Sequence, residues 1–410
     1  MLIKKVYLDY AASTPMDPEV VNEMTIHLNG TFGNASSLHS YGQAAHQILE
    51  QSRDNIALFL NAEPNEIYFT SSGTESDNLA IKGVGFKHKN TGNHIITSKI
   101  EHHAVLHPCQ YLEKLGFNVT YLDVDKYGVV DLNELEEAIT DNTILISIMF
   151  ANNEIGTIEP IKEIGIIAKN HNIIFHTDAV QAFGRIPINI EDMNIDLLSA
   201  SAHKIYGPKG VGLLYIREKG GKLGGKKNIE PLIHGGGHER GLRSSTENIP
   251  GIVGFSKAVE LCRKNIGKET KRLIRFRDRL IKEVTENIED VYLNGHPTQR
   301  LPNNVNLGFR YIEGESIVLS LNEEGIATST GSACSSKSLE PSHVLLAIGQ
   351  KPEEAHGSLR ITMGRFTTQN DIEYLLEKLP PIITRLREIS PLKKGINSIL
   401  NKKKLESQFH

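Results

Sequence analysis

A lysine, an aspartate and a glutamine follow apolar segments of this sequence, where their side chains could act on one ligand. Lys204 comes just after the apolar residues 195–200, and Asp178 and Gln181 come just after the apolar residues 173–176. Because burial disfavours a charged ammonium group, we expect a lowered pKa that frees the Lys204 amine for Schiff-base chemistry. An anion and an amide beside this amine suit a cofactor with a pyridinium nitrogen and an aldehyde. A lysine at such a junction is usually an exposed surface group, and only Asp178 and Gln181 favour the chemical interpretation.

The segment of residues 71–78, Ser-Ser-Gly-Thr-Glu-Ser-Asp-Asn, is a candidate phosphate site. It follows a strand-like run and opens a predicted helix, whose first N–H groups favour an anion. Gly73 would let the backbone approach the ligand, with Thr74 beside it. Ser201 and His203 would add a hydroxyl and an imidazole from the end of the next strand. The spacing is not that of a Walker loop, and serine and threonine at such a junction are also ordinary helix caps.

Three further polar segments each allow two interpretations. His103 and His107, with His102 adjacent, have a metal-like spacing, but no Asp, Glu or Cys at ligand spacing completes a metal site. One imidazole stacked on a cofactor ring and another in a solvated loop are therefore favoured. Residues 152–156, Asn-Asn-Glu-Ile-Gly, would either contact a ligand or form a simple turn. The glycine-rich, basic residues 234–246 are either a connector or an anion clamp.

Cys334 and Arg360 are candidates for reaction with, and binding of, a substrate. Cys334 lies in the small, polar residues 329–338, which predict a flexible exposed loop. Free cysteine is usually buried, as we expect for Cys109 and Cys262, so an exposed thiol suggests reactivity. Arg360 lies in a strand-like run and would present its guanidinium either to a substrate carboxylate or to a surface ion pair.

The composition limits the classes of protein to which this chain can belong. Its 410 residues are enough for two or three domains and a large core. The net charge of −4 gives no reason to expect nucleic acid or an anionic membrane as a partner. The sequence has no apolar run of membrane-spanning length and no signal-peptide pattern. Three widely spaced cysteines argue against a disulfide framework and for a reducing compartment, so we expect a cytoplasmic protein.

Alternating strand-like and helical segments would position the candidate residues. The predicted strands are residues 66–70, 94–98, 118–122, 143–150, 173–176, 196–200 and 212–216, with amphipathic segments at 132–139 and 161–170. This alternation predicts an α/β fold with a mostly parallel sheet covered by helices, and ligands at the carboxyl ends of its strands. A long helix over about residues 252–289 would lead to a smaller α/β domain. Residues 219–228 and the Lys-rich tail at 392–410 are predicted to be flexible.

Together these motifs resemble the cysteine desulfurases, a branch of the class V aminotransferase family that uses pyridoxal phosphate. The resemblance is greatest to the housekeeping iron–sulfur-assembly type and runs from residue 7 to about residue 391. The ordered motifs that carry it are Tyr-Leu-Asp-Tyr-Ala-Ala at 7–12, Thr-Glu-Ser-Asp-Asn at 74–78, Glu-His at 101–102, Asn-Asn-Glu-Ile-Gly at 152–156, His-Lys-Ile-Tyr-Gly-Pro-Lys-Gly at 203–210, Gly-Ser-Ala-Cys at 331–334 and Gly-Arg-Phe-Thr-Thr at 364–368. Ala202, Ala35 and Thr330 depart from residues common in the family, and none of the three removes a reacting group.

The resemblance implies a fold and a division into domains. The fold would be that of the fold-type I pyridoxal-phosphate-dependent transferases. A large cofactor-binding domain would span residues 15–262, and residues 1–14 and 263–390 would form a small domain that carries the Cys334 loop. Residues 391–410 would form a Lys-rich tail.

The resemblance also implies a role for each candidate residue. Lys204 would hold pyridoxal phosphate covalently and shuttle protons, while His102 would stack on the ring and serve in acid–base steps. Asp178 would pair with the pyridinium nitrogen. The remaining implied contacts are Gly73, Thr74, Ser201 and His203 with the phosphate, Gln181 with the phenolic oxygen, Asn153 beside the cofactor and substrate, Thr246 with the phosphate of the partner subunit's site, and Arg360 with the substrate carboxylate.

The implied activity is conversion of L-cysteine to L-alanine with transfer of sulfur to Cys334 as a persulfide. The implied partners are a second copy of the chain and an iron–sulfur scaffold or another sulfur acceptor, with tRNA thiolation as a further destination of the sulfur. We expect no direct binding to nucleic acid or membrane. We also expect no resident metal, although Cys334 could transiently ligate a cluster shared with a scaffold. The alternatives are a class V aminotransferase, a selenocysteine lyase and a sulfur-relay protein without catalysis.

Overall fold

The computed structural model describes residues 4–218, 226–331 and 340–391. These residues form strands and helices that alternate through the first half of the chain. The strands are β1 (Val6–Tyr7), β2 (Ile67–Thr70), β3 (His94–Ser98), β4 (Asn118–Leu122), β5 (Thr143–Ser147), β6 (Ile174–Asp178), β7 (Leu197–Ser201), β8 (Gly212–Ile216), β9 (Val291–Leu293), β10 (Asn304–Phe309), β11 (Ile326–Ala327) and β12 (Ser358–Thr362). The helices are α1 (Pro18–Gly30), α2 (Ser40–Leu60), α3 (Gly73–His88), α4 (His103–Glu113), α5 (Leu132–Glu137), α6 (Ile161–Asn170), α7 (Ile249–Asn287), α8 (Gly314–Glu323), α9 (His343–Ala347), α10 (Pro352–Ala355) and α11 (Gln369–Ile389).

A seven-stranded, mostly parallel sheet is the main layer, in the order β2-β8-β7-β6-β5-β3-β4. β8 runs antiparallel to both of its neighbours, and the remaining neighbours pair in parallel. Every residue of β5, β6 and β7 is buried. Strands buried on both faces read as continuous apolar runs, which is the pattern that predicted them. The predicted α/β fold with a mostly parallel, helix-covered sheet is confirmed.

The strand ends differ from the predicted ones in a way that concerns the candidate site. The strands predicted at 173–176 and 196–200 end later, so that Asp178 and Ser201 are themselves the last residues of β6 and β7. The strand predicted at 143–150 ends at Ser147, although the Phe150 N–H still donates to the Asp178 carbonyl at 2.9 Å. The apolar residues 148–150 therefore continue alongside β6 after the regular pairing has ended.

Two smaller boundary errors have local causes. β2 begins one residue later than predicted, because residues Pro64–Glu66 form a 3-10 turn. α5 ends at Glu137, two residues before the predicted end. The elements predicted at 94–98, 118–122, 161–170 and 212–216 have the predicted bounds.

The long helix α7 links this sheet to a second hydrophobic core. Its first part, including Phe255 and Cys262, packs in the core of the large sheet. Its second part, including Leu273 and Leu280, packs with β10, β12, α8 and α11. The predicted domain boundary after residue 262 falls within this helix, and we retain the two-domain division as a proposal.

The described residues bear on two further sequence predictions. No helix in these ranges is both long and apolar enough to cross a membrane. Cys109 and Cys262 are buried free thiols, as predicted. Cys334 and the tail at 392–410 lie outside the described residues, as do residues 219–225 of the predicted flexible loop.

Candidate active site

A cavity of about 340 Å³ brings together most of the candidate residues. Its size falls within the range of small-molecule sites, roughly 300–1,000 Å³. Asp178 and Ser201 enter it from the carboxyl ends of β6 and β7, where a parallel sheet is expected to bind ligands. The sequence candidates that line it are Gly73, Thr74, His102, Asn153, Asp178, Gln181, Ser201, His203, Lys204 and Arg360.

Lys204 lies in a 3-10 turn that directly follows β7. Its Nζ atom donates to the carbonyls of Ala11 and Ala12, at 2.6 and 2.8 Å. The Thr14 N–H and hydroxyl both donate to the His203 carbonyl, at 3.0 and 2.9 Å. The N-terminal residues 11–14 therefore position both the Lys204 amine and the turn that carries it.

Asp178 is a buried carboxylate at the centre of the cavity wall. Its Oδ1 atom accepts the Val180 N–H at 2.8 Å. Burial raises its pKa to about 6, against the Val180 N–H and the Lys204 charge, which both lower it. A cationic ring nitrogen would stabilise the ionised carboxylate here, so Asp178 fits the pyridinium of pyridoxal phosphate.

Asp77 and His176 lie beside Asp178 and were not singled out from the sequence. Burial, and then the charge of Asp178, raise the pKa of Asp77 well above its usual range. Burial lowers the pKa of His176 to about 3, so this imidazole is neutral. Its Nε2 lies 3.6 Å from Asp77 Oδ1 and hydrogen-bonds Ser199, while its Nδ1 hydrogen-bonds Ser147. A neutral aspartic acid and a neutral histidine thus leave Asp178 as the group to ionise when a cation binds.

His102 is held in the cavity as a neutral imidazole. Its Nδ1 atom accepts the Ala104 N–H at 3.1 Å and caps α4, so the ring proton lies on Nε2. Burial, and then the Lys204 charge, lower its pKa to about 4. A neutral ring at neutral pH is suited to stack on an aromatic cofactor.

The first turn of α3 and the end of β7 form the candidate phosphate cradle. Gly73 is the first residue of α3, after the N-cap Ser72. A Cβ atom at Gly73 would lie 2.6 Å from Val180 Cγ2, so a larger residue would not fit without displacement. Burial, and then the Lys204 charge, lower the pKa of His203 to about 4, and its Nδ1 lies 3.2 Å from the Ser13 hydroxyl. Free helix N–H groups beside hydroxyl and imidazole groups suit a phosphate.

Arg360 is a buried guanidinium on β12 that reaches the same cavity. Its Nη2 atom forms an ion pair with Asp9 Oδ1 at 2.8 Å, and its Nη1 donates to the carbonyls of Asn153 and Gly331, each at 3.1 Å. The predicted alternative, a surface ion pair, is wrong in one respect, because Arg360 is only 2% exposed. Its Nε has no hydrogen-bond partner among the described residues and remains a donor for a carboxylate.

Several cavity residues were missed or misplaced in the sequence analysis. His343, at the start of α9, lines the cavity and donates from Nε2 to the Glu101 carbonyl at 2.9 Å. No motif marks His343, since only the folded chain brings it near residue 101. His107 is exposed as expected, but it lies on α4 and not in a loop, with its ring stacked 4.8 Å from that of His103. In the ranges that the structure covers, no group of three His, Cys, Asp or Glu residues could hold a metal.

Thr246 and the glycine-rich segment lie apart from this cavity. Thr246 lines a second cavity, of about 210 Å³, together with Ser71 and Arg243. Arg243 forms an ion pair with Glu75 at 2.8 Å, and Arg240 stacks on Tyr68. Both arginines of the suggested anion clamp therefore have protein partners. Cys334 lies outside the described residues, after Gly331 at the edge of the first cavity.

Comparisons with known proteins agree on one family. The family model for aminotransferase class-V matches residues 6–375. A relative from Dictyoglomus turgidum named "Cysteine desulfurase IscS" is 56% identical over 390 residues, which cover 95% of this chain and 97% of that protein. A solved NifS-like protein has a TM-score of 0.86 at 38% identity, over 93% of this chain and all of that one (100%). A structure described as "SspA in complex with cysteine" has a TM-score of 0.78 at 40% identity, over 89% of this chain and 100% of that one.

Proposed function

Because this chain belongs to the class V aminotransferase family, and within it to the cysteine desulfurases, we propose that it uses pyridoxal phosphate to convert L-cysteine to L-alanine. The sulfur passes to Cys334 as a persulfide. The observation that carries the proposal is the single cavity that gathers Lys204, Asp178, His102 and Arg360. The relative from Dictyoglomus turgidum and the cysteine-bound SspA structure support the same substrate.

Four residues would hold the cofactor ring, each by a different interaction. The Lys204 amine binds the aldehyde covalently, Asp178 pairs with the ring nitrogen, and the neutral His102 stacks on the ring. Gln181 donates to the phenolic oxygen. The phosphate contacts are Gly73, Thr74, Ser201 and His203. Bound there, the cofactor supplies an electron sink that makes the substrate Cα–H acidic.

The substrate is oriented by its carboxylate. The Arg360 guanidinium binds this group, and its bonds to Asp9 and to the Asn153 carbonyl fix the guanidinium in place. Once displaced by the substrate amine, the Lys204 amine can take the Cα proton and return a proton later. Ala11 and Ala12 supply carbonyl acceptors that stabilise its protonated form.

Sulfur transfer uses the Cys334 thiolate as nucleophile. It attacks the substrate sulfur, a sulfur–sulfur bond forms, and the carbon–sulfur bond breaks with its electron pair going to Cβ. Protonation of that carbon gives alanine, so carbon is reduced while sulfur is oxidised to the sulfane level. A thiol reductant then releases the sulfur as sulfide, or an acceptor protein takes it for iron–sulfur cluster assembly or tRNA thiolation.

Replacing Cys334 by alanine tests the sulfur-transfer step. The variant should keep the yellow colour of the bound cofactor and yet release no sulfide from L-cysteine and dithiothreitol, because the nucleophile is missing. Ser335→Ala is the matched control and should keep wild-type output. Normal sulfide production by Cys334→Ala would sink the proposed transfer.

Replacing Lys204 by alanine tests the cofactor anchor. The variant should lose both turnover and borohydride-dependent covalent attachment of the cofactor, whereas the exposed Lys209→Ala should keep both. Retained covalent attachment in Lys204→Ala would mean that another amine is the anchor. In the same assay, equal yields of alanine and sulfide without a keto acid would exclude a simple aminotransferase. Comparison of rates with selenocysteine would separate a selenocysteine lyase.

We also propose a homodimer that shares its active sites, with Thr246 as a phosphate ligand for the partner subunit. An exposed apolar face on and between α1 and α2 supports this proposal, with Ile26, Leu28, Phe32, Leu38 and Tyr41 at its surface. Leu38 is 91% exposed and Phe32 is 72% exposed, which is unusual for large side chains without a partner surface. Light scattering should give twice the chain mass for the wild type and a smaller mass for Leu38→Asp. A monomeric, fully active wild type would contradict the shared site.

The sulfur acceptor and the cellular location remain proposals of the same kind. We propose a cytoplasmic enzyme, in keeping with its buried, unpaired Cys109 and Cys262. We propose that its acceptor is an iron–sulfur scaffold that docks on the Lys-rich tail. A pull-down with the chain ended at Pro391 should lose the scaffold, and unchanged recovery would rule the tail out.

A further inference from the structure

Arg185 joins three segments that carry cofactor-binding residues. Its Nη1 atom donates to both oxygens of Gln181, to the carbonyl at 2.9 Å and to the side-chain Oε1 at 2.5 Å. Its Nη2 atom donates to the carbonyls of Tyr10 and Lys204, at 3.1 and 3.0 Å. Resting on the proposed function, we infer that Arg185 is a positioning residue that makes Gln181 present an N–H donor, and not an acceptor, to the phenolic oxygen of the cofactor.

The orientation of the Gln181 amide follows from the chemistry of its two neighbours. A guanidinium has donors only, so the Gln181 atom that faces Arg185 must be the oxygen. The amide nitrogen must then face the Ala11 carbonyl, to which it donates at 3.0 Å. One N–H is used there, and the second N–H remains to donate into the cavity that Gln181 lines. A planar fork that binds both Gln181 oxygens fixes this orientation better than a single-point donor would.

Loss of this fork would change the polarity of the cavity wall. Without Arg185, the amide could rotate by half a turn and place Oε1 against the phenolic oxygen. Two acceptors would then face each other where a hydrogen bond had stabilised an oxyanion. Because that hydrogen bond favours the deprotonated form, its loss raises the pH at which the bound chromophore deprotonates.

Arg185 also holds the turn that carries Lys204, and other groups near this corner carry charge. Its bonds to the Tyr10 and Lys204 carbonyls join the N-terminal segment to that turn. The titratable and charged groups that face Arg185 or the cavity beside it are Tyr206, Cys262, Arg360, Asp178, His102, His203 and Lys204 itself. None of them lies between Arg185 and the Gln181 amide, which are in direct contact, so a change at Arg185 reaches the phenolic oxygen first through Gln181.

The test is a pH titration of the visible absorption band of the holoenzyme. Arg185→Met should raise the midpoint by about one pH unit and weaken cofactor binding by about tenfold, as expected for a lost hydrogen bond to a charged group. Arg185→Lys keeps the charge but not the fork and should raise the midpoint by a smaller amount. The exposed Arg275→Met, on α7, is the control and should leave the midpoint unchanged.

A double-variant cycle shows whether Arg185 acts through Gln181. Gln181→Ala alone should raise the midpoint, and adding Arg185→Met should move it by less than about 0.3 pH unit more. Should Arg185→Met fail to fold, the Lys variant and its combination with Gln181→Ala carry the test. Unchanged midpoints in the Arg185 variants, or fully additive shifts with Gln181→Ala, would overturn this inference. A wild type that binds no cofactor would instead overturn the proposed function.

Discussion

Replacing Asp178 by asparagine should stabilise the cofactor-free protein while weakening its hold on the cofactor. Burial raises the pKa of this carboxyl from an ordinary value of 3.8 to about 6. The folded state therefore binds the proton more tightly than the unfolded state, so stability falls as the pH rises between these two values. Above about pH 6 the penalty is complete, and at 1.36 kcal/mol per pH unit it amounts to about 3 kcal/mol. Asparagine carries no charge to bury, and its oxygen can still accept the Val180 N–H.

Urea unfolding of the cofactor-free protein at fixed concentration measures this difference. Asp178→Asn should exceed the wild type by about 3 kcal/mol near pH 7.5 and by less than about 1 kcal/mol near pH 4, where the wild-type carboxyl is largely protonated. The exposed Asp141→Asn is the control and should change stability by less than about 0.5 kcal/mol at either pH.

The same variant should lose function. Without an anion opposite the ring nitrogen, the dissociation constant of the cofactor should rise by a factor of roughly 10 or more. A variant that is less stable than the wild type near pH 7.5, or that differs from it equally at both pH values, would refute the electrostatic reasoning. A variant that gains stability and still binds the cofactor normally would show that Asp178 does not face the ring nitrogen.

Two other predictions use groups outside the cavity. Burial raises the pKa of Cys262 to about 12 and that of Cys109 still further, so a brief treatment with an alkylating agent near pH 7.5 should label Cys334 alone in the native protein; mass spectrometry should find three labels after unfolding, and early labelling of Cys109 would contradict the burial argument. Glu239→Gln should cost about 3 kcal/mol in urea unfolding, because it leaves the Arg53 guanidinium buried without the carboxylate that now pairs with it at 2.8 Å; a loss below about 1 kcal/mol would mean that the pair contributes little.

The strand pattern was predictable because buried parallel strands have a simple sequence signature. Apolar runs separated by amphipathic segments placed β3, β4 and β8 at the observed residues. Strand ends were less certain, since the apolar run after Ser147 continues where regular pairing has stopped. That error is small in residues, but the related errors in β6 and β7 hid the fact that Asp178 and Ser201 belong to the strands.

Residue types predicted most of the cavity because the strand ends gather in one place. Lys204, Asp178 and Gln181 follow apolar strands, and neighbouring parallel strands of one sheet end at the same edge. Resemblance to a family added Arg360 and His102, whose local sequence alone left other interpretations open. His343 had no such marker, and its place in the cavity depends on a contact with Glu101 across 242 residues of chain.

By itself, the sequence determined the fold class, the family and the residue types that the chemistry requires. The tertiary structure decided which of these groups meet and in what electrostatic state. The Asp9–Arg360 ion pair joins residues 351 positions apart, and the Arg185–Gln181 contact sets the direction of one amide. The pKa of Asp178 depends on how completely the fold excludes water around it. Local patterns encode helices and strands, whereas burial and pairing over such separations exist only after the chain has packed.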